Sequence, residues 1–405
     1  MKNNGFLEKY KVIVVGGGFS GLICSLVLNE KFKGQVLLLE RNDRLGKKIA
    51  STGNGRGNIT NEKVSEKFYH GDKELVKECL SRFSNDSLIR FFNSLGLLFT
   101  KENGRIYPSS MQASSVCDVL RLKAEKEKLA VKLSYKVTAV SREKGGYMIN
   151  NELFCEKVVM CGGGKSMKNF GTDGNMVELL QGLGEKFTPL SPSLVQLKTD
   201  IKYIKGLRGI KQVAKATLLD GEKEVACFTG DVLFTDYGVS GDCIFRLSAY
   251  LGEVKKPILN LEFLPDYSFE KLSDFLKGKS KIGYVKNTDL PTGVVNNRLG
   301  LAALKKANLK GEEKANCKSA DLLAKTLKNF TLDVTGTLGF DYSQVTHGGV
   351  DGKYVDTKTL QSSINKNLYY CGEILNVDGD CGGYNLQWAY TSARIVAEAI
   401  LNDNK

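Results

Sequence analysis

The chain has 405 residues, 42% of them apolar, with a formal net charge of +13 and ten cysteines. That length exceeds one compact unit of ordinary size and predicts two lobes. No early apolar run with a basic flank and small-residue cleavage site is present, nor any run of about 18 apolar residues, so export and membrane insertion are disfavoured and a cytoplasmic protein is expected.

Lys11 to Val15 reads as a short apolar strand, followed by Gly16-Gly17-Gly18-Phe19-Ser20-Gly21 and a helix over Leu22 to Asn29. This is GxGxxG between strand and helix, the context in which the spacing binds a dinucleotide. Gly16 permits the tight turn, Gly18 lets a pyrophosphate approach the backbone, and Gly21 lets helix pack on strand, with Ser20 in the same turn. The phosphates meet the helix N-terminus. A second strand, Gln35 to Leu39, ends at Glu40, close to the offset of the acid that accepts from a ribose diol; Arg41 follows without replacing it.

Leu45 to Lys48 and Ser51 to Asn61 form a polar, glycine-rich segment unsuited to a core. Lying along a cofactor it could present Lys47, Lys48, Thr52, Gly53, Asn54, Arg56 and Asn58 to a flavin; alternatively it is a surface turn. Strands are expected near Val131 to Val140 and Val158 to Cys161. Gly162-Gly163-Gly164 then lacks the spacing of a second dinucleotide motif, so Gly163 contacts the first cofactor or closes the domain. Ile201 to Phe234 is strand-like, and Phe269 to Leu327 mixes helical patterns with loops.

Near the other end, Leu368 to Cys371 is a buried-strand pattern closed by Gly372-Glu373. Asp378, a candidate ribityl or water contact or else a plain turn-former, precedes Gly382-Gly383-Tyr384-Asn385 and an amphipathic helix over Leu386 to Leu401. That helix N-terminus suits negative charge on a flavin ring.

The cysteines are scattered without a CxxC pair, and Cys155 and Cys161 lie in or beside a strand, so reduced, mostly buried thiols are expected. His70 and His347 are the only histidines, and neither stands at ligand spacing from a Cys or carboxylate cluster, which predicts no structural zinc.

The glycine turn, Gly46-Lys47-Lys48, Gly53 to Arg56, Gly104 to Pro108, Gly230 to Thr235, Gly348-Gly349-Val350 and Gly372-Glu373 through Asn385 together resemble the bacterial BaiN/RdsA family of FAD-dependent oxidoreductases, which includes aminoacetone oxidase-like proteins. The resemblance covers nearly the whole chain. It implies an α/β fold: a discontinuous Rossmann-type FAD domain (1–190 and 341–405) interrupted by an insertion (191–340) that is β-barrel-like with a helical part at about 265–328. The family usually has Cys, Lys, His and Pro where this chain has Gly57, Gln112, Asp236 and Asp242, which puts a catalytic role carried over to the Asp236 loop in doubt, because a carboxylate does not do an imidazole's proton chemistry at neutral pH.

A flavin brings hydride chemistry, so the protein must place the substrate, exclude water and supply a proton. NADH or NADPH would dock transiently as electron donor. The candidate proton donors are Tyr384, Tyr237, Asp236 and His347; a histidine that only hydrogen-bonds in a turn is the other reading of His347. The charge of +13 concentrates polyanions, unless it reflects a Lys-rich proteome. Three basic runs fall in the insertion: Lys198, Lys202, Lys205, Arg208, Lys211 and Lys215, opposed nearby only by Asp200; Lys277, Lys279, Lys281 and Lys286; and Lys305, Lys306, Lys310, Lys314 and Lys318. Such runs are solvated faces or phosphate contacts. Since some members of the resembled family reduce a uridine of large-subunit ribosomal RNA to dihydrouridine, that is the favoured activity, with Tyr203, Tyr237, Tyr250 or Tyr284 stacking on an unstacked base. The rivals are a small-molecule oxidoreductase acting on an enone, a steroid-like acid or an amine, and a flavoprotein that only binds.

Overall fold

A computed structural model describes residues 8–403, which divide into two compact units, 8–191 with 344–403 and 192–343.

The first unit is built on a seven-stranded sheet. Strand β1 (Glu8–Val15) lies parallel between β2 (Val36–Leu39) and the strand Leu153–Met160, and β2 pairs in parallel with Ala130–Lys132. Val12 to Val15 and Val36 to Leu39 are buried without alternation, the signature of parallel strands covered on both faces. Helix α1 (Phe19–Lys31) is the crossover between the parallel strands β1 and β2, and begins earlier than its apolar pattern indicates. One edge of Leu153–Met160 is shared. Leu153 to Cys155 pair antiparallel with Ile149 to Tyr147, and Val158 to Met160 pair in parallel with Leu368 to Tyr370. The helix Tyr384–Asn402 packs against α1.

The second unit is a closed six-stranded barrel plus helices. Its strands, in order around the barrel, are Leu197–Thr199, Gly238–Ser240, Lys223–Phe234, Lys211–Asp220, Pro257–Phe263 and Phe330–Thr337. Ala214, Ala216 and Leu218 alternate inward, as do Leu259, Leu261 and Phe263, and the rings of Phe234, Phe263 and Phe330 meet in the interior. Helices Phe269–Ser280, Asn297–Lys306 and Cys317–Lys328 follow, started by Ser268, Asn296 and Asn316, whose side chains accept from the first-turn N–H groups.

Two strand readings need correction. Residues 201–210 form turns, because Gly206 and Gly209 take positive φ of 93° and 82°, and the strand starts only at Lys211. The strand beginning at Ala130 stops at Lys132, where the left-handed Ser134 (φ 53°) breaks it. Among the described residues, no helix is long and apolar enough to cross a membrane.

Candidate active site

The glycine turn has the geometry that its spacing demands. Gly16 has φ 112°, and a Cβ there would lie 2.6 Å from the Cys161 carbonyl oxygen; at Gly21 a Cβ would overlap the Gly16 carbonyl oxygen. A Cβ at Gly18 would meet nothing within 4 Å. The turn is therefore closed on its protein side and open where a phosphate would lie. Helix α1 starts at Gly18 without a side-chain cap and with no acidic residue in its first turn, which leaves its positive end for an anion. Glu40 is buried; its Oε2 accepts from Gly17 N at 2.8 Å and its Oε1 from Asn42 N and Nδ2 at 2.7 Å, so the carboxylate is fixed at the lip of the turn. Arg41 reaches Asp173 at 2.7 Å and the Gly171 carbonyl.

Four further segments of the first unit are tied to one another. Lys48 pairs with Glu373 at 2.6 Å, and the other carboxylate oxygen of Glu373 accepts from Thr346 N. Thr346 Oγ1 accepts from Lys165 N and Ser166 N, and a Cβ on Gly164 would collide with it, so the Gly162 to Gly164 run closes the domain. Gly163 has φ 72° and faces Thr172. Gly53 and Asn54 are both left-handed, at φ 58° and 56°, and Thr52 Oγ1 donates to Ile49 O. Lys47 is 3.6 Å from Asp43, while Arg56 turns to Glu102 and lies over the Tyr107 ring. In its hydrogen-bonding orientation Asn58 donates to Thr60 O and accepts from Gly383 N at 3.0 Å.

At the other end, Gly383 (φ 94°) caps the helix Tyr384–Asn402, again without a side-chain cap or first-turn acid, and a Cβ there would sit 2.5 Å from Thr60 O. Gly382 (φ 138°) accepts from Asn61 Nδ2. Gly372 donates to Ser392 Oγ and accepts from Trp388 Nε1, and Asn385 bonds both the N–H and the carbonyl of Gly379 at 2.8 Å. Two uncapped helix starts and glycines crowded on one side only are a frame that fits a dinucleotide.

The candidate proton donors separate. Tyr384 is buried, stacked on Phe68 at 4.6 Å and edge-on to Tyr69, so its ring is held in the core. Asp236 lies in the second unit in an exposed ion pair with Arg208 at 2.8 Å, and Tyr237 beside it is half-buried, its carbonyl accepting from Thr199 N. His347, half-buried on the strand Val345–His347, has Nδ1 2.8 Å from Asp378 Oδ1. Asp378 is buried on Val377–Gly379, which pairs antiparallel with Tyr69–Gly71 and sets Asp378 opposite His70. His70 Nε2 lies 3.2 Å from Asp380 Oδ1, and the two imidazole rings are 6.5 Å apart between centroids. The two histidines thus meet, each against a carboxylate, contrary to what their chain spacing indicates. Nothing local in the sequence announces His70, whose partner comes from a strand pairing.

A second grouping hidden from spacing is that of Cys161 and Cys371, whose sulfurs are 2.9 Å apart at the ends of neighbouring strands. Burial pushes the Cys161 thiol well above its ordinary range. Seven of the ten cysteines are buried.

In the second unit the basic runs are less bare than they look in the sequence. The fold brings Asp236 to Arg208, Asp231 to Lys211, Asp321 to Lys277 and Glu312 to Lys286. Asp200 is therefore not the only acid opposing the first run. Lys202, Lys205, Arg298 and Lys305 instead line one exposed cavity of about 310 Å³ with Tyr203, and none of the four pairs with a carboxylate among the described residues. Lys306 and Lys202 lie 4.6 and 5.1 Å from the Tyr203 ring centroid. Tyr250 leans on Phe228, and Tyr284 is fully exposed.

Comparison with known proteins adds the following. The model of the HI0933-like protein Rossmann domain matches residues 10–399. The chain is 32% identical to a 3-dehydro-bile acid delta(4,6)-reductase of Clostridium scindens, over 96% of this chain and 98% of that protein. It is 27% identical to a ribosomal RNA dihydrouridine synthase of Escherichia coli, over 98% and 99%. Among solved structures, a 3-ketosteroid delta1-dehydrogenase from Sterolibacterium denitrificans shares the fold at TM-score 0.51 and 12% identity, over 98% of this chain and 100% of that one. The chain belongs to the HI0933-like (BaiN/RdsA) family and is an FAD-dependent oxidoreductase.

Proposed function

We propose that the protein reduces a carbon–carbon double bond conjugated to a carbonyl, with NADH or NADPH as electron donor, and that its substrate is a uridine of large-subunit ribosomal RNA. The observation that carries the RNA reading is the groove of Lys202, Lys205, Arg298 and Lys305 beside Tyr203: four exposed cations without carboxylate partners, next to an aromatic ring, suit a phosphate backbone and a splayed base. It agrees with the activity named for the Escherichia coli relative.

FAD, when bound, supplies the hydride. The turn at Gly16, Gly18 and Gly21 would receive the pyrophosphate, Glu40 the ribose, and the segments around Lys48, Asn58, Gly163, Glu373 and Gly383 would enclose the remainder. His347, oriented by Asp378, would hold the proton that passes to the carbon alpha to the carbonyl (C5 of uracil), while hydride arrives at C6. Tyr384 would keep the cofactor frame packed.

The 32% identity to the Clostridium scindens enzyme favours a second reading, conjugate reduction of a steroid-like acid, in which one cation of the groove would meet a carboxylate. Both readings share the proton requirement. Ribosomal RNA from a strain lacking the gene is expected to lose one dihydrouridine, restored by the purified holoprotein with NADPH or NADH. Full dihydrouridine content in that strain, with turnover of a 3-keto-4,6-diene, would replace the first reading by the second.

A further inference from the structure

Cys161 ends one strand of the first unit's sheet and Cys371 ends the strand beside it. Met160 and Tyr370 are register partners in the parallel ladder, and Cys371 N still donates to Met160 O at 3.2 Å. The two cysteines therefore stand opposite each other one step further on, with their side chains on one face. Neighbouring strands lie about 4.8 Å apart, inside the window of about 4.4 to 6.8 Å between Cα atoms that a disulfide spans. The sulfurs are already 2.9 Å apart, and a bond of about 2.05 Å needs them to close by less than about 1 Å. Cys24 on α1 and Ser20 in the glycine turn also hydrogen-bond to Cys371, and all three thiols are buried. Burial works against charge on Cys371, but the donors Cys161, Cys24 and Ser20 converge on it and hold its thiol below the ordinary range, while burial holds that of Cys161 above it. A ready nucleophile thus faces a thiol that keeps its proton.

The pair also backs the glycine turn. A Cβ on Gly16 would lie 2.6 Å from Cys161 O, one on Gly21 3.4 Å from Cys161 Cβ, and one on Gly372 2.7 Å from Ser20 Oγ. Cys161 and Cys371 are 210 residues apart in the chain, one in each of the two stretches of the first unit that the second unit interrupts. We propose that Cys161 and Cys371 are a redox site, which hydrogen peroxide converts to a disulfide that fastens these two stretches behind the cofactor turn and slows the release of FAD. The Cys371 sulfur attacks one peroxide oxygen, the O–O bond breaks, and the departing hydroxide leaves as water with the Cys371 proton. Cys371 is then a sulfenic acid. The Cys161 sulfur attacks the Cys371 sulfur, the S–O bond breaks, and the hydroxyl leaves as a second water with the Cys161 proton. Two thiols and one peroxide give one disulfide and two waters, two electrons passing from sulfur to peroxide oxygen. The 6% of Cys161 that remains exposed is the approach for so small an oxidant.

The effect on flavin rests on the placement of FAD at this turn; the bond itself does not. In the test, holoprotein is treated with hydrogen peroxide, the remaining thiols are alkylated, and the peptides are read by mass spectrometry, with the exposed Cys317 reporting that the oxidant has acted. The expected product is a joined peptide of Cys161 and Cys371, two hydrogens lighter than its parts and separated by dithiothreitol. It should be missing in Cys371→Ala, and in Cys161→Ala if the first folds poorly. Flavin fluorescence should show FAD leaving the oxidised protein at least about tenfold more slowly, which takes only part of what a disulfide closing so long a loop contributes. Dithiothreitol should restore the original rate. Alkylated Cys161 and Cys371 beside an oxidised Cys317, a link from Cys24 to Cys371 instead, or sulfinic acid without a link would each overturn the site. If the link forms and the release rate does not change, the coupling to the cofactor turn falls. If Gly18→Val stays yellow, it is the placement of FAD that fails, and the link stands on its own.

Discussion

In the proposed reading the first unit would meet its ligand with backbone, and the second would present side chains. Around Gly16 to Gly21 and Gly382-Gly383 the chain removes Cβ atoms and side-chain caps, and binding there would rest on amide groups and helix ends. In the barrel unit the candidate contacts are long, mobile cations at Lys202, Lys205, Arg298 and Lys305, which salt screens. A backbone site requires the whole fold to be right and tolerates no added atom. A side-chain site can be altered one charge at a time.

The sharpest break of this contrast is at Gly18. Gly18→Val is expected to give folded, colourless protein, because the new side chain meets only the open space left for phosphate; Gly21→Val should instead lose the fold, since its Cβ would overlap the Gly16 carbonyl. Flavin absorbance and circular dichroism of the two variants read the difference, and yellow Gly18→Val protein would displace the cofactor from this turn. Next in size, His347→Asn should lower turnover by about 10² to 10⁴-fold with flavin retained, measured by rapid mixing of reduced holoprotein with substrate.

On the other unit, neutralising Lys202, Lys205, Arg298 and Lys305 to Gln should leave flavin content unchanged. It should weaken binding to large-subunit ribosomal RNA and flatten the dependence of log K on log salt by about 0.7 to 0.9 for each phosphate that the variant no longer neutralises. An unchanged slope in filter binding would remove the groove from the interface.

A smaller effect separates the units by pH. Burial pushes the thiols of Cys79 and Cys155 up to about 12 and that of Cys117 to about 11 in the first unit, against Cys243 at about 12 in the second. Unfolded thiols ionise near pH 8.5, so above that pH the unfolded chain has released protons that the folded one keeps. The stabilisation is complete below about pH 8.5 and is lost as pH rises toward 12, more in the first unit than in the second; hydrogen exchange from pH 8 to 10 should show its strands opening first. Smallest of all, Asn316→Ala removes the cap that accepts from Lys318 N and Ser319 N and should cost about 1 kcal/mol, read by thermal melting, with flavin unaffected.

The same contrast governs what was legible beforehand. The glycine turn, Glu40 and the parallel strands could be read because their determinants are adjacent in the chain and each has one physical use. The barrel was foreseen through family resemblance; its own residues misled at 201–210, where two left-handed glycines interrupt an apolar pattern. Pairings across the fold were out of reach. Arg208 finds Asp236, Cys161 finds Cys371, and His70 reaches His347 only because Tyr69–Gly71 pairs with Val377–Gly379. The last two pairings are set by strand register and the first by the meeting of two turns, neither of which sequence spacing encodes.

The divided edge of Leu153–Met160 bears on how this protein is made. Half of that edge is filled by the neighbouring hairpin strand, but Val158 to Met160 wait for Leu368 to Tyr370, and α1 waits for the helix Tyr384–Asn402. During synthesis from the N-terminus, the barrel of residues 192–343 leaves the ribosome complete while the earlier-made sheet still carries an open strand edge. Such an edge invites pairing with other chains until residues 368–402 arrive. Aggregation of ribosome-stalled chains should therefore peak for lengths at which residues 192–343 have emerged and residues 368–402 have not, and fall once the last helix has emerged.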